Sequence, residues 1–134
     1  MTARRPNSKL HVLLAEDDPE MRTLVADALR RDGFEIEEVE DGRQLWIRTL
    51  NPGGYDLVVS DVRLPIVDGL SVIEDLRGRG DRTAVILMTA FGDDTTHARA
   101  AEYAALLFDK PFEIGELRAA ARRLCEEAAL RGPS

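Results

Sequence analysis

In residues 56–69, DLVVSDVRLPIVDG, a short apolar run stops on a carboxylate and a loop begins. Leu57–Val59 suits a buried strand, Ser60-Asp61 ends it, and Pro65 and Gly69 punctuate the loop that follows. Leu70, Ile73 and Leu76 then recur at helical spacing. The unit is therefore strand, loop, helix, with an acid at the strand end.

The same unit recurs on both sides. Toward the N-terminus, His11–Ala15 is a short apolar strand, and Asp18-Pro19 opens a helix with a capping residue before a proline. Met21, Leu24, Val25, Ala28 and Leu29 form that helix's stripe, and Gly33 stops it. Glu35–Val39 alternates charged and apolar residues as a half-buried strand does, and Asp41-Gly42 opens a second helix with Leu45, Trp46 and Leu50. Toward the C-terminus, Ala84–Met88 is the most apolar strand and ends at Thr89. Asp93 or Asp94 caps a fourth helix rich in alanine, and Leu106–Phe108 forms a fifth strand ending near Lys110-Pro111. Ile114, Leu117, Ala121, Leu124 and Ala128 mark the last helix.

Five strand–helix units with apolar strands predict an α/β fold, a doubly wound parallel sheet covered by helices on both faces. The length of 134 residues fits one core, and 44 % apolar residues are too many for a disordered chain. The expected layout is a flexible tail at 1–9, one domain at 10–128, and a tail or linker stub at 129–134. Thr2–Lys9 is basic but has no apolar core, unlike a signal peptide. No run approaches the roughly 18 apolar residues of a membrane span, so a cytoplasmic protein with no membrane partner is expected. A net charge of −7 argues against nucleic acid as a direct ligand. Cys125 is the only cysteine and falls on an apolar stripe, where core filling is its expected role. His11 and His97 show no metal-ligand spacing; His11 reads as a strand-edge residue and His97 as a solvated helix residue.

Open parallel sheets bind ligands beyond the carboxyl ends of their strands. Here those ends carry Glu16-Asp17-Asp18, Asp61, Thr89 and Lys110. In a sheet ordered 2-1-3-4-5, the acids from strands 1 and 3 face one crevice, and Thr89 and Lys110 line its other wall. Two carboxylates about 5 Å apart repel by about 3 kcal/mol at an effective dielectric near 20, which a divalent cation relieves. Hard oxygen donors in small number suit Mg²⁺, a partner of phosphate oxygens. With 16 arginines and only two lysines, generic positive charge here is arginine; Lys110 suggests a need for a compact ammonium. Metal, ammonium and an in-line carboxylate nucleophile together make up a phosphoryl-transfer site.

At these residues the sequence resembles the receiver domain of two-component response regulators, standing alone or at the N-terminus of a longer regulator. The resemblance covers roughly residues 10–128 and rests on LLAEDDPEMR (13–22), DLVVSDVRLPIVDG (56–69), ILMTA (86–90) and DKPF (109–112) in order. It implies a flavodoxin-like (βα)5 fold with sheet order 2-1-3-4-5. It implies that Asp61 is the phosphoacceptor in a phosphorelay. Glu16 and Asp17 would be the acidic pair, with Asp17 the direct Mg²⁺ ligand and the Arg63 backbone carbonyl another. Lys110 would pair with phosphoryl oxygens across a cis bond to Pro111, and Thr89 would move to the phosphoryl group. Implied partners are a histidine kinase or phosphotransfer protein and a downstream protein met through the helix 4–strand 5–helix 5 face, which also allows a weak homodimer. The protein would not be an enzyme beyond slow self-dephosphorylation.

Two departures stand out. The family's switch aromatic, three residues before the lysine, is Leu107 here, and its usual Gly-Ala before the fifth strand is Tyr103-Ala104. Phe108 is one place off and should face the other side of the strand. These leave open a non-switching pseudo-receiver that acts as a constitutive interaction module. A phosphatase with an aspartyl nucleophile would want a second acid two residues on, where Arg63 stands. Trp46 is expected as partly buried packing, with a partner contact as the alternative.

Overall fold

The computed structural model describes residues 9–131. The expected flexible N-terminal tail lies outside these residues except for Lys9, and so do residues 132–134 of the expected C-terminal stub.

Strands and helices alternate: β1 (His11–Ala15), α1 (Pro19–Arg31), β2 (Glu35–Val39), α2 (Gly42–Thr49), β3 (Leu57–Asp61), α3 (Gly69–Gly78), β4 (Ala84–Thr89), α4 (Asp94–Glu102), β5 (Leu106–Asp109) and α5 (Ile114–Arg131). All strand pairs are parallel and the sheet order is β2-β1-β3-β4-β5, the doubly wound flavodoxin-like arrangement. α5 runs to Arg131, so residues 129–131, expected in a tail, form its last turn.

Local chemistry explains the helix starts. Asp18, Asp41, Asp68 and Asp93 are N-caps, accepting from the backbone N–H of Glu20, Gln44, Ser71 and Thr96. Each cap satisfies a donor that the helix leaves open, typically about 1 kcal/mol. Asp93, not Asp94, caps α4. Gly33, at φ 93, turns the chain after α1 in a conformation that a side chain disfavours.

Alternation along the strands builds two cores. Val12, Leu14, Leu57, Val59, Ile86 and Met88 meet α1 and α5 through Val25, Leu29, Leu117, Ala121 and Cys125. Leu13, Ala15, Val58, Val85 and Leu87 meet Leu45, Leu70, Ile73 and Ala100 on the other face. Phe108 joins the first cluster and Leu107 the second, as strand parity requires. Cys125 is buried as expected.

Three apolar residues assigned to helix stripes are more exposed than that reading implies. Leu24 lies at the margin of the buried arc of α1, whose interior is taken by Val25, Ala26, Ala28 and Leu29. Leu50 is only the C-cap of α2 and stands exposed. Trp46 is 41 % exposed, and its indole N–H donates to Asp75 Oδ2 at 3.0 Å, tying α2 to α3. His11 is the first residue of β1, and His97 is exposed on α4 but paired with Asp109.

Candidate functional site

The sheet order puts the carboxyl ends of β1, β3, β4 and β5 along one rim. Asp61 closes β3 opposite Met88, and Thr89 closes β4 opposite Asp109. Glu16 follows β1 and is held there by its N–H to Val39 O at 3.2 Å. Lys110 follows β5 and is anchored by its N–H to Thr89 O at 2.7 Å. Four residues far apart in sequence thus reach the same end of the sheet because each sits at a strand terminus.

Lys110 is the hub. Its Nζ donates to Glu16 Oε1 at 2.8 Å and to Asp61 Oδ2 at 2.9 Å. Glu16 is 1 % exposed and Asp61 8 %, so both acids are shielded from bulk water. Burial pushes the Glu16 carboxyl above the ordinary carboxylate range; the Lys110 hydrogen bond opposes this, and the Asp61 charge adds to it. Burial alone would lower the Lys110 pKa, but bonds to Glu16 and Asp61 outweigh it, so the ammonium is held charged.

The remaining lone pairs are used differently. Glu16 Oε2 accepts from the Asp18 N–H at 3.2 Å, and Asp61 Oδ1 from the Arg63 N–H at 3.2 Å. Asp17 is exposed at the mouth of the site. One carboxylate oxygen from each of Glu16, Asp17 and Asp61 lies within 4.8 Å of the others, a cluster able to hold a metal ion. Such an all-oxygen, acid-rich set fits a hard divalent cation, since three carboxylates face one ammonium. Asp18 belongs to the helix start, where its side chain accepts from the Glu20 N–H.

The loops around the acids are tightly fitted. A Cβ on Gly69 would lie 2.2 Å from the Asp61 carbonyl oxygen and 2.7 Å from Ser60 Oγ. A Cβ on Gly42 would lie 1.6 Å from Val67 O, so α2 seats the β3–α3 loop. Thr89 is 1 % exposed, and its Oγ1 accepts from the Phe91 N–H at 3.0 Å. The Arg63 guanidinium lies 4.6 Å from the centroid of the exposed Phe91 ring. The Lys110-Pro111 bond is cis.

Glu16, Asp17, Asp61 and Lys110 are therefore brought together, and Thr89 ends the adjoining strand. The Arg63 backbone is tied to Asp61 through its N–H. Residues that the motifs did not single out also matter. Arg22 donates from Nη1 to Glu16 O at 2.8 Å, one turn into α1, where the basic residue of EDDPEMR was the available signal. Phe91 carried no signal, because its contact is made by a loop meeting another loop.

Known proteins resemble the chain in sequence and in fold. Residues 12–122 match the family described as the response regulator receiver domain. The chain is similar to the transcriptional regulatory protein TcrA of Mycobacterium tuberculosis, 35 % identical over 94 % of this chain and 50 % of that protein. It is similar to a probable chemotaxis protein CheY of Rhizobium etli, 36 % identical over 84 % of this chain and 89 % of that protein. Among solved structures, the response regulator TrrA of Thermotoga maritima, in complex with Mg²⁺ and BeF, superposes with TM-score 0.75 at 28 % identity, covering 86 % of this chain and 98 % of that one. The chain spans about half the length of TcrA.

Proposed function

We propose, from the premise that this chain belongs to the response regulator receiver domain family of two-component signalling, that Asp61 is its phosphoacceptor and that phosphorylation switches a protein-binding face. The observation that carries this reading is the Lys110 ammonium placed 2.9 Å from Asp61 Oδ2 and 2.8 Å from Glu16 Oε1 in a buried acidic cluster.

In the proposed step, an oxygen of Asp61 attacks the phosphorus of a phosphohistidine on a histidine kinase or phosphotransfer protein. A P–O bond forms and the P–N bond breaks; the imidazole keeps the electron pair and takes up a proton from water. Mg²⁺, when bound, neutralises phosphoryl oxygen charge. Asp17 is its proposed direct ligand, with Asp61, Glu16 and the Arg63 backbone carbonyl completing the protein's share; the open Asp17 and the clustered oxygens support this. Lys110, released from Asp61 Oδ2, pairs with a phosphoryl oxygen and holds the acyl phosphate. Thr89 donates a hydrogen bond from its hydroxyl to another phosphoryl oxygen. The product is an acyl phosphate that water at Asp61 hydrolyses slowly, so the protein acts as a signal carrier and not as a turnover enzyme. The proposed setting is the cytoplasm and the functional unit residues 10–128; among the described residues no helix is long and apolar enough to cross a membrane. The proposed output is a downstream protein meeting the α4–β5–α5 face.

Incubation with acetyl phosphate and Mg²⁺ should add one phosphoryl mass to the wild type and none to Asp61→Asn. Equal labelling of both, or none of either, refutes the reading. A second reading, a receiver that accepts phosphate without switching, is favoured by Leu107, which supplies no aromatic ring at the usual relay position. It predicts beryllofluoride-induced NMR shifts confined to residues around Asp61.

A further inference from the structure

A chain of three contacts links the β3–α3 and β4–α4 loops. Asp61 Oδ1 accepts from the Arg63 N–H at 3.2 Å. The Arg63 guanidinium sits 4.6 Å from the Phe91 ring centroid. The Phe91 N–H donates to Thr89 Oγ1 at 3.0 Å. Asp61 ends β3 and Thr89 ends the neighbouring β4, so the chain of contacts starts at the proposed phosphorylation point and finishes on the adjoining strand end.

The aromatic alternatives on β5 are not available for this task. Leu107 has no ring and packs against the cluster beneath α3 and α4. Phe108 packs in the opposite cluster and stacks against Phe112 with ring centroids 5.6 Å apart. Phe91 is 65 % exposed, lies two residues after Thr89, and is the aromatic whose backbone is bonded to the Thr89 hydroxyl.

We propose that Phe91 is the aromatic relay of this receiver, held by Arg63 in the resting form and released when Asp61 is phosphorylated. The inference rests on the phosphoacceptor reading of Asp61. If Thr89 Oγ1 moves toward a phosphoryl oxygen, its bond from the Phe91 N–H lengthens or loses alignment, because that bond is set by where the oxygen sits. The phosphoryl charge also competes for the Arg63 guanidinium, and a charge-assisted contact is stronger than an exposed cation–ring contact. Both changes free the same residue. The consequence passes to α4, because Phe91 O accepts from the Asp93 N–H at 3.1 Å and Asp93 caps that helix. Gly92, between Phe91 and Asp93, lies against the side chains of Asp109 and His97, so a Cβ there would require the Asp109 carboxylate to shift. Phe91 is thus a positioning residue that acts through Thr89 and α4.

The test is amide NMR of the full chain with Mg²⁺ and beryllofluoride, following residues 62–63 as the occupancy signal, the Phe91 amide and ring, and the amides of residues 94–101. In the wild type all three sets should move. In Phe91→Leu, which changes an exposed ring and leaves the fold intact, the 62–63 shifts should persist while the α4 shifts fall at least twofold. Phe91→Tyr, which keeps the ring, should restore them. Full α4 shifts in Phe91→Leu at equal occupancy, or a stationary Phe91 amide in the saturated wild type, overturns the relay alone. Absence of the 62–63 shifts in the wild type overturns the phosphoacceptor reading and the relay together.

Discussion

Lys110→Met removes the one ammonium facing Glu16 and Asp61 while keeping most of the side-chain volume. At an effective dielectric near 20, each contact, 2.8 Å to Glu16 and 2.9 Å to Asp61, is about 6 kcal/mol of gross attraction. Each pair of carboxylates, with oxygens no more than 4.8 Å apart, repels by at least about 3.5 kcal/mol on the same scale. Most of the attraction is already spent on desolvating the ammonium, so the net loss is far smaller than the gross sum. Breaking a buried pair from one side typically costs about 3–5 kcal/mol. Glu16 can limit that cost by taking up a proton, since burial already raises its pKa. We expect the low end, about 3 kcal/mol at pH 7. For a urea slope of about 2 kcal/mol/M this lowers the unfolding midpoint by about 1.5 M, with the slope unchanged.

The sign with pH follows from the same groups. In the variant, the folded state binds a proton at Glu16 more tightly than the unfolded chain does, so the deficit against wild type shrinks as pH falls through that folded pKa. The raised Lys110 pKa gives wild type a contribution present below the unfolded lysine value and lost as pH rises through the folded one, so the ammonium itself is constant between pH 5 and 9. Adding Glu16→Gln to Lys110→Met removes one of the two stranded acids and should return part of the loss. A deficit below about 1 kcal/mol at pH 7, or one equal at pH 5 and pH 8, would refute the coupled triad.

Asp32 accepts two bonds from Arg118, at 3.0 and 2.8 Å, which hold its carboxyl below the usual range. That contribution is present above the unfolded carboxyl value and lost as pH falls through the depressed folded one; Asp32→Asn should flatten the melting temperature below about pH 4, and an unchanged acid limb counts against it. Ala104 sits at φ 54, a conformation that suits glycine, so Ala104→Gly should stabilise by about 1 kcal/mol in urea unfolding; a loss contradicts the backbone assignment. Gly69→Ala forces a Cβ to within 2.2 Å of the Asp61 carbonyl and should cost about 2–3 kcal/mol while weakening beryllofluoride binding; wild-type binding and stability would show the loop has slack.

How far the sequence carried this reading depends on the range over which each feature is encoded. Helix starts are local: an aspartate at 18, 41, 68 or 93 bonds an amide two or three residues on, so neighbours in sequence suffice. Strand ends are nearly as local, and the parallel topology then gathers them without further instruction. Strand parity also fixed that Leu107 and Phe108 must face opposite cores. Exposure on helices was harder, because Leu24, Trp46 and Leu50 obey the spacing of a stripe whose width depends on what packs against it. The bond from Lys110 to Glu16 joins residues 94 apart and could be placed at a rim but not given a partner. The contact of the Arg63 guanidinium with Phe91 was beyond reach altogether: each side chain extends from an irregular loop, and no periodicity relates one loop to another. The acidic site around Asp61 was therefore legible because secondary structure positions it. The proposed route outward from Asp61 was not, because it runs through loop contacts that only the folded backbone defines.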